Sequence, residues 1–235
     1  MFFSYSKLRG WRLIRLCEMV LFETRNRRCG AVETMVIERA KIEEIAALLR
    51  DGKLVAFPTD TVYGLACVYD NEEAILRMKE AKGRSELKPF PMMVRNIDQL
   101  KMVALCDERS TKIMEKWMPG ALTLVMNKLE SVPGYVTNGS MTVAIRIPDD
   151  SFVLTLLELV GKPLLVTSAN LSDHLPGHDD KEVLAQLDGR IDAIVRGEAH
   201  GVRPSTIIDV TQDEMCVLRE GPISIDRIKY SLKGE

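Results

Sequence analysis

Three short segments hold most of the side chains that could do chemistry. Pro58-Thr59-Asp60-Thr61-Val62-Tyr63-Gly64-Leu65 offers three hydroxyls and a carboxylate in five residues, Lys82-Gly83-Arg84 with Lys88-Pro89 places three cations within seven, and Ser168-Ala169-Asn170 adds a hydroxyl and an amide. Hydroxyls, cations and an amide gathered at strand ends and loop starts are what a site for phosphates and a small polar substrate requires. The pattern points to a nucleotide-using enzyme. Each segment also has a plain structural reading: a self-capping Asx/Thr turn, a solvated helix end favoured by the dipole, and a loop cap. Arg146 ends an apolar run, where a guanidinium either pairs with a structural carboxylate or clamps a ligand carboxylate or phosphate. Arg219 ends another such run and has the same two readings.

The elements that must position these residues follow from periodicity. Ile42, Ile45, Ala46, Leu48 and Leu49 recur at helical spacing, with Gly52 as the stop. Residues 54–57 form a short apolar strand ending at Pro58, which cannot continue a central strand, so 59–64 leave the sheet as a loop at its carboxyl end. Asn71 followed by Glu72 and Glu73 starts a helix that runs to about Lys82, where Gly83 ends it. Further strands are expected at 92–94, 122–126, 142–147, 164–167, 193–195, 206–210 and 216–218, and helices at 98–105, 107–117, 149–160 and 180–187. The fold class is α/β (mixed α+β), with an open mixed sheet of about seven to eight strands flanked by helices.

Composition narrows the function classes. The chain of 235 residues, 46% hydrophobic and 28% charged, can bury one substantial core, and a net charge of −2 confines any nucleic-acid contact to a local patch. Cys17, Cys29, Cys67, Cys106 and Cys216 show no C-x-x-C spacing, so neither a zinc site nor a disulfide framework is indicated and a reducing cytoplasm is the default. No apolar run approaches the ~20 residues that span a bilayer. His174 and His178 are four apart, but Pro176-Gly177 prevents the helix that would make them a metal pair, and no metal site is expected. P-loop and Rossmann fingerprints are both missing, and no Ser or Cys sits in a nucleophile setting, so catalysis would work by positioning and charge stabilisation. Residues 1–34 carry seven Lys/Arg against three Glu, and are read as a basic extension, poorly ordered or upstream of the true start. Residues 35–235 are read as the catalytic domain.

In order and spacing, the three segments together with Pro119-Gly120-Ala121-Leu122-Thr123, Thr142-Val143-Ala144-Ile145-Arg146-Ile147-Pro148 and Ser205-Thr206-Ile207-Ile208-Asp209 resemble the YrdC family of threonylcarbamoyl-AMP synthases, over roughly residues 37–226. The resemblance is to the short form of that family. It implies a twisted mixed sheet with a concave, basic face, and condensation of L-threonine, bicarbonate and ATP to threonylcarbamoyl-adenylate and pyrophosphate. That product serves the N6-threonylcarbamoyladenosine modification of tRNA, reached directly or through a downstream threonylcarbamoyl transferase. Carried over by position, the resemblance places L-threonine on Thr61, Arg146, Ser168 and Ser205, and ATP on Arg84, Lys88, Thr142, Asn170 and Arg219. Lys82 and Arg84 of the K-x-R motif would be the catalytic cations. Mg²⁺ would arrive with the nucleotide rather than in a protein cage. The chain departs from the family pattern at Met93, at Asp173-His174 and at His178. Two other classes fit parts of the pattern: a non-catalytic tRNA- or ribosome-binding module, and a carbamoyl-transfer module.

Overall fold

A computed structural model describes residues 33–83, 88–201 and 203–233. In chain order the strands are β1 (Met35–Ile37), β2 (Val55–Phe57), β3 (Gly64–Val68), β4 (Met92–Met93), β5 (Leu122–Asn127), β6 (Thr142–Arg146), β7 (Leu164–Ser168), β8 (Ala193–Val195), β9 (Thr206–Asp209) and β10 (Cys216–Arg219). The helices are α1 (Ile42–Arg50), α2 (Glu72–Ala81), α3 (Ile97–Lys101), α4 (Glu108–Trp117), α5 (Ser151–Val160), α6 (Asp180–Leu187) and α7 (Ile225–Lys233). All ten strands join one sheet in the order β1-β8-β2-β3-β7-β4-β6-β5-β9-β10. Parallel pairs (β1/β8, β2/β8, β4/β6, β5/β9) mix with antiparallel ones, as the α/β reading requires.

The strand count corrects the expectation of seven to eight. Both additional strands escape periodicity for a physical reason. β1 is a three-residue edge strand with its first two residues exposed, and β3 carries Gly64 and Ala66, residue types depleted in strands. Helix α3 is also shorter than expected, and α7 is additional. Elsewhere the local signals hold. The Asn71 side chain accepts from the Ala74 N–H and caps α2, Asp150 accepts from the N–H groups of Phe152 and Val153 and caps α5, and Gly161 ends α5 at φ 73°. The fold takes in Thr34, whose N–H donates to Asp188 and whose hydroxyl donates to the Ile191 carbonyl. Residues 1–32, on which the basic extension was read, lie outside the described residues.

Two apolar clusters sandwich the sheet, and their unequal extent creates the site. On one face Leu65, Leu122, Leu124, Met126, Val143, Ile145, Leu165 and Ile208 pack against buried residues of α2, α4, α6 and α7 along nearly the whole sheet. On the other face Val55, Phe57, Ala66, Val68, Leu164, Val166, Ala193 and Val195 pack under α1 and α5, which bury Ile45, Leu49, Phe152, Val153, Leu156 and Leu157. At roughly 1.5–3 kcal/mol for each fully buried large aliphatic side chain, both clusters contribute substantially to folding. The second cluster, however, stops at β7 and β4. From there to β10 the same sheet face is left open, and it becomes the floor of a groove.

Candidate active site

The groove has a volume of about 910 Å³, and the period-two geometry of strands selects its floor. Thr142, Ala144 and Arg146 of β6, Thr123 and Val125 of β5, and Ser205, Ile207 and Asp209 along β9 all face it, while their neighbours Val143, Ile145, Leu122, Leu124 and Ile208 face the core. Val166 and Met93 belong both to the groove and to the second apolar cluster, where the covered and open halves of the face meet. Gly64 lies on the floor beside Val166; a Cβ there would come within 2.7 Å of the Val166 side chain, so the close strand approach requires glycine. In β10 a register shift between Val217 and Arg219 puts Leu218 and Arg219 on the groove side together, the usual effect of a β-bulge.

Arg146 anchors one end. Its side chain is 4% exposed, with Nε donating to the Gly120 carbonyl at 2.8 Å, one Nη donating to Thr61 Oγ1 at 2.8 Å, and the other pairing with Asp60. The structural-carboxylate reading is therefore realised by Asp60, and the N–H groups left over face the groove. The Thr61 hydroxyl sits in a local knot: Thr59 Oγ1 donates to the Val62 carbonyl at 2.8 Å, accepts from the Thr61 N–H, and lies 3.1 Å from Thr61 Oγ1. This is the self-capping turn expected of the segment, built so that Thr61 still lines the groove. Gly201 packs against the same loop, where a Cβ would meet the Thr61 carbonyl at 2.6 Å.

Arg219 forms the second positive wall. Its Nε donates to the Ser205 carbonyl at 3.0 Å and an Nη donates to Ser205 Oγ at 3.2 Å, while Ser205 Oγ lies 2.7 Å from Thr123 Oγ1. Burial lowers the pKa of both guanidiniums; Asp60 opposes the shift for Arg146, whereas for Arg219 the like charge of Arg146 adds to it. Arginine nevertheless stays protonated at any ordinary pH. Two partly desolvated cations that repel one another across a polar groove are relieved by an anion placed between them.

The opposite rim joins two of the sequence motifs. The Lys82 ammonium, in a residue only 3% exposed, donates to the Ser168 carbonyl at 2.6 Å and the Asn170 carbonyl at 2.8 Å, so Lys82 is braced directly onto S-A-N. The Asn170 amide donates to the carbonyls of Leu171 and His174, which turns its Oδ1, buried and without a hydrogen-bond partner among the described residues, into an available acceptor. Lys88 stands exposed at the mouth, and Thr142 Oγ1 lies 2.9 Å from Ser140 Oγ. Arg84 lies outside the described residues. All the other predicted site residues, Thr61, Lys82, Lys88, Thr142, Arg146, Ser168, Asn170, Ser205 and Arg219, line the one groove, as does Met93. Asp173 lines it too, at φ 65°, whereas His174 and His178 are not part of its lining.

Thr123 and Asp209 also line the groove and were not singled out as site residues from sequence. The signal was partial: each is a polar residue on the strand face opposite Leu122, Leu124 or Ile208, but β5 and β9 also hold the polar Asn127 and Thr206. Among the described residues no group of three or more His, Cys, Asp or Glu is arranged to hold a metal ion, and no helix is long and apolar enough to cross a membrane.

A mixed sheet with one half-open face and a groove lined by these motifs is an architecture shared with known proteins. The family model described as "Telomere recombination" (Sua5, YciO and YrdC) matches residues 47–221, and the chain belongs to this family. A threonylcarbamoyl-AMP synthase of Pyrococcus abyssi is 37% identical over 195 residues, covering 82% of this chain and 57% of the relative. The crystal structure of P. abyssi Sua5 complexed with L-threonine superposes with a TM-score of 0.79 at 36% identity, over 85% of this chain and 60% of that one. Escherichia coli YciO superposes with a TM-score of 0.75 at 25% identity, over 83% and 98% of the two chains. The chain thus spans little more than half the length of the P. abyssi protein.

Proposed function

We propose that this chain is an L-threonylcarbamoyladenylate synthase that condenses L-threonine, bicarbonate and ATP into threonylcarbamoyl-AMP and pyrophosphate. The observation that carries the reading is the pair of guanidiniums, Arg146 and Arg219, lining one groove together with Lys82 and Lys88. In this reading the threonine carboxylate lies at the Arg146 end with Thr61, Ser168 and Ser205. The nucleotide lies along Thr142, Lys88, Arg84, Asn170 and Arg219. The threonine amine takes its carboxyl carbon from bicarbonate with loss of water. A carbamate oxygen then attacks the α-phosphorus; the new P–O bond forms as the bond to the pyrophosphate oxygen breaks, and pyrophosphate departs. Bicarbonate, the carbamate, the triphosphate and the departing pyrophosphate are all anions, so the protein's contribution is alignment and positive charge, supplied by Arg84, Lys88 and Arg219 and by Lys82 through its brace on the Ser168 and Asn170 carbonyls.

Mg²⁺ would be bound chiefly by the triphosphate oxygens, with Asp173 and Asp209 the carboxylates on the groove wall. The product would go to tRNA modification in the cytoplasm, either directly or through a threonylcarbamoyl transferase. Residues 35–235 would form the catalytic domain, with Thr34 bonded onto it and the residues before it as a basic extension. The test is incubation with ATP, L-threonine and bicarbonate, with mass detection of threonylcarbamoyl-adenylate and measurement of pyrophosphate. Pyrophosphate release should require both threonine and bicarbonate, and equal release without threonine refutes the reading. Salt-sensitive tRNA affinity with no adenylate formed would favour a binding module instead.

A further inference from the structure

Donor and acceptor counts at the Arg146 end set a hydrogen-bond polarity that goes beyond the list of contact residues. We propose that two buried hydroxyls, Thr59 and Thr123, act as positioning groups that make Thr61 an obligatory acceptor and Ser205 an obligatory donor towards the amino-acid substrate. The proposal rests on the function proposed above and deepens it.

A threonine hydroxyl has one proton and two lone pairs. The Val62 carbonyl, 2.8 Å from Thr59 Oγ1, can only accept, so the Thr59 proton is committed there. The Thr59 oxygen already accepts from the Thr61 N–H, and the 3.1 Å contact between the two hydroxyls has one solution: Thr61 donates to Thr59. Thr61 Oγ1 also accepts from Arg146. Its proton is committed, one lone pair remains, and towards a ligand it can only accept.

Ser205 is the mirror case. Its oxygen accepts from Arg219, and its 2.7 Å contact with Thr123 could run either way. Thr123 is 1% exposed, and among the described residues its hydroxyl has no other partner. If Ser205 donated, the Thr123 proton would be buried without an acceptor, an arrangement folded proteins avoid. Thr123 therefore donates, and the Ser205 proton is left for the groove.

The pocket thus presents a neutral acceptor at Thr61 and a donor at Ser205 beside two guanidiniums. A free α-amino acid fits in one sense: carboxylate towards the Arg146 guanidinium and the Ser205 hydroxyl, an N–H or O–H towards Thr61. A neutral acceptor also has a chemical consequence. A carboxylate at that position would hold the amine as ammonium, whereas a hydroxyl does not oppose the loss of the proton that must precede carboxylation.

The test is titration calorimetry of the full chain with L-threonine and, separately, with ATP. Thr123→Val, which keeps shape and removes the proton, should weaken L-threonine about tenfold and leave ATP within about twofold, and Thr123→Ser should restore binding. Thr59→Val and Thr59→Ser should behave as a matching pair. In a Ser205→Ala background, Thr123→Val should have no further effect, because the hydroxyl it would orient is gone. Equal weakening of both ligands, or an additive effect in the Ser205→Ala background, overturns the relay and leaves Thr123 as packing. Threonine binding that is unchanged in both valine variants overturns the relay alone. If the parent chain does not bind L-threonine at all, the functional reading fails and the relay with it.

Discussion

Replacing Lys82 with Met separates a brace from a charge. The side chain is almost fully buried and its ammonium donates to the Ser168 and Asn170 carbonyls at 2.6 and 2.8 Å. Methionine preserves most of the stem and its packing while deleting both bonds. Hydrogen bonds from a charged donor contribute roughly 1.5–3 kcal/mol each, but removing the cation also removes its desolvation cost, so the net loss should be about 2–3 kcal/mol. For a domain of this size that is a fall in Tm of about 4–12 °C. Differential scanning calorimetry of the parent and variant measures it directly. The loosened S-A-N loop should also raise the ATP KM, since Asn170 is held in place through its own carbonyl. A variant that melts within about 1 °C of the parent while losing activity would refute the brace and return Lys82 to a purely electrostatic role. Early melting with normal ATP binding would refute the opposite half of the reasoning, that the brace serves the nucleotide.

Two further substitutions divide the groove. Arg146→Lys keeps a charge near Asp60 but cannot reach Gly120 and Thr61 together, so the threonine KM should rise at least about tenfold with a much smaller change for ATP; equal increases would show that the two ends are not separate. Asn170→Ala deletes the buried Oδ1 acceptor and should show the reverse bias in steady-state kinetics, with a selective threonine defect counting against its assignment to the nucleotide.

What could be read from the sequence divides along physical lines. Signals confined to a few neighbouring residues transferred well: Asn71 caps its helix, Pro58 ends its strand, Gly83 follows α2 in a left-handed conformation, and polar residues after β2 and β7 line the same groove. Strands β1 and β3 did not, because one is a half-exposed three-residue edge and the other carries Gly64 and Ala66, residue types depleted in strands. The partnerships within the site lie deeper still. Arg146 meets Asp60 and Thr61 from 85 or more residues away, Lys82 meets Ser168 and Asn170 across a similar distance, and Thr123 meets Ser205 across 82 residues. No local rule predicts such pairs, since they depend on which strands become neighbours in the sheet. Motif order could therefore gather residues that line one groove without revealing their partnerships. Lys82 illustrates this: its sequence context offers a cation beside a glycine, and only the residues after β7 turn that cation into a clamp on two carbonyls. Thr123 shows the converse. Its sequence context is a mostly apolar strand, and its hydroxyl meets Ser205 only because β9 is the parallel neighbour of β5. The chemistry of the groove is thus a property of the strand order, and the motifs mark the points at which that order brings distant segments together.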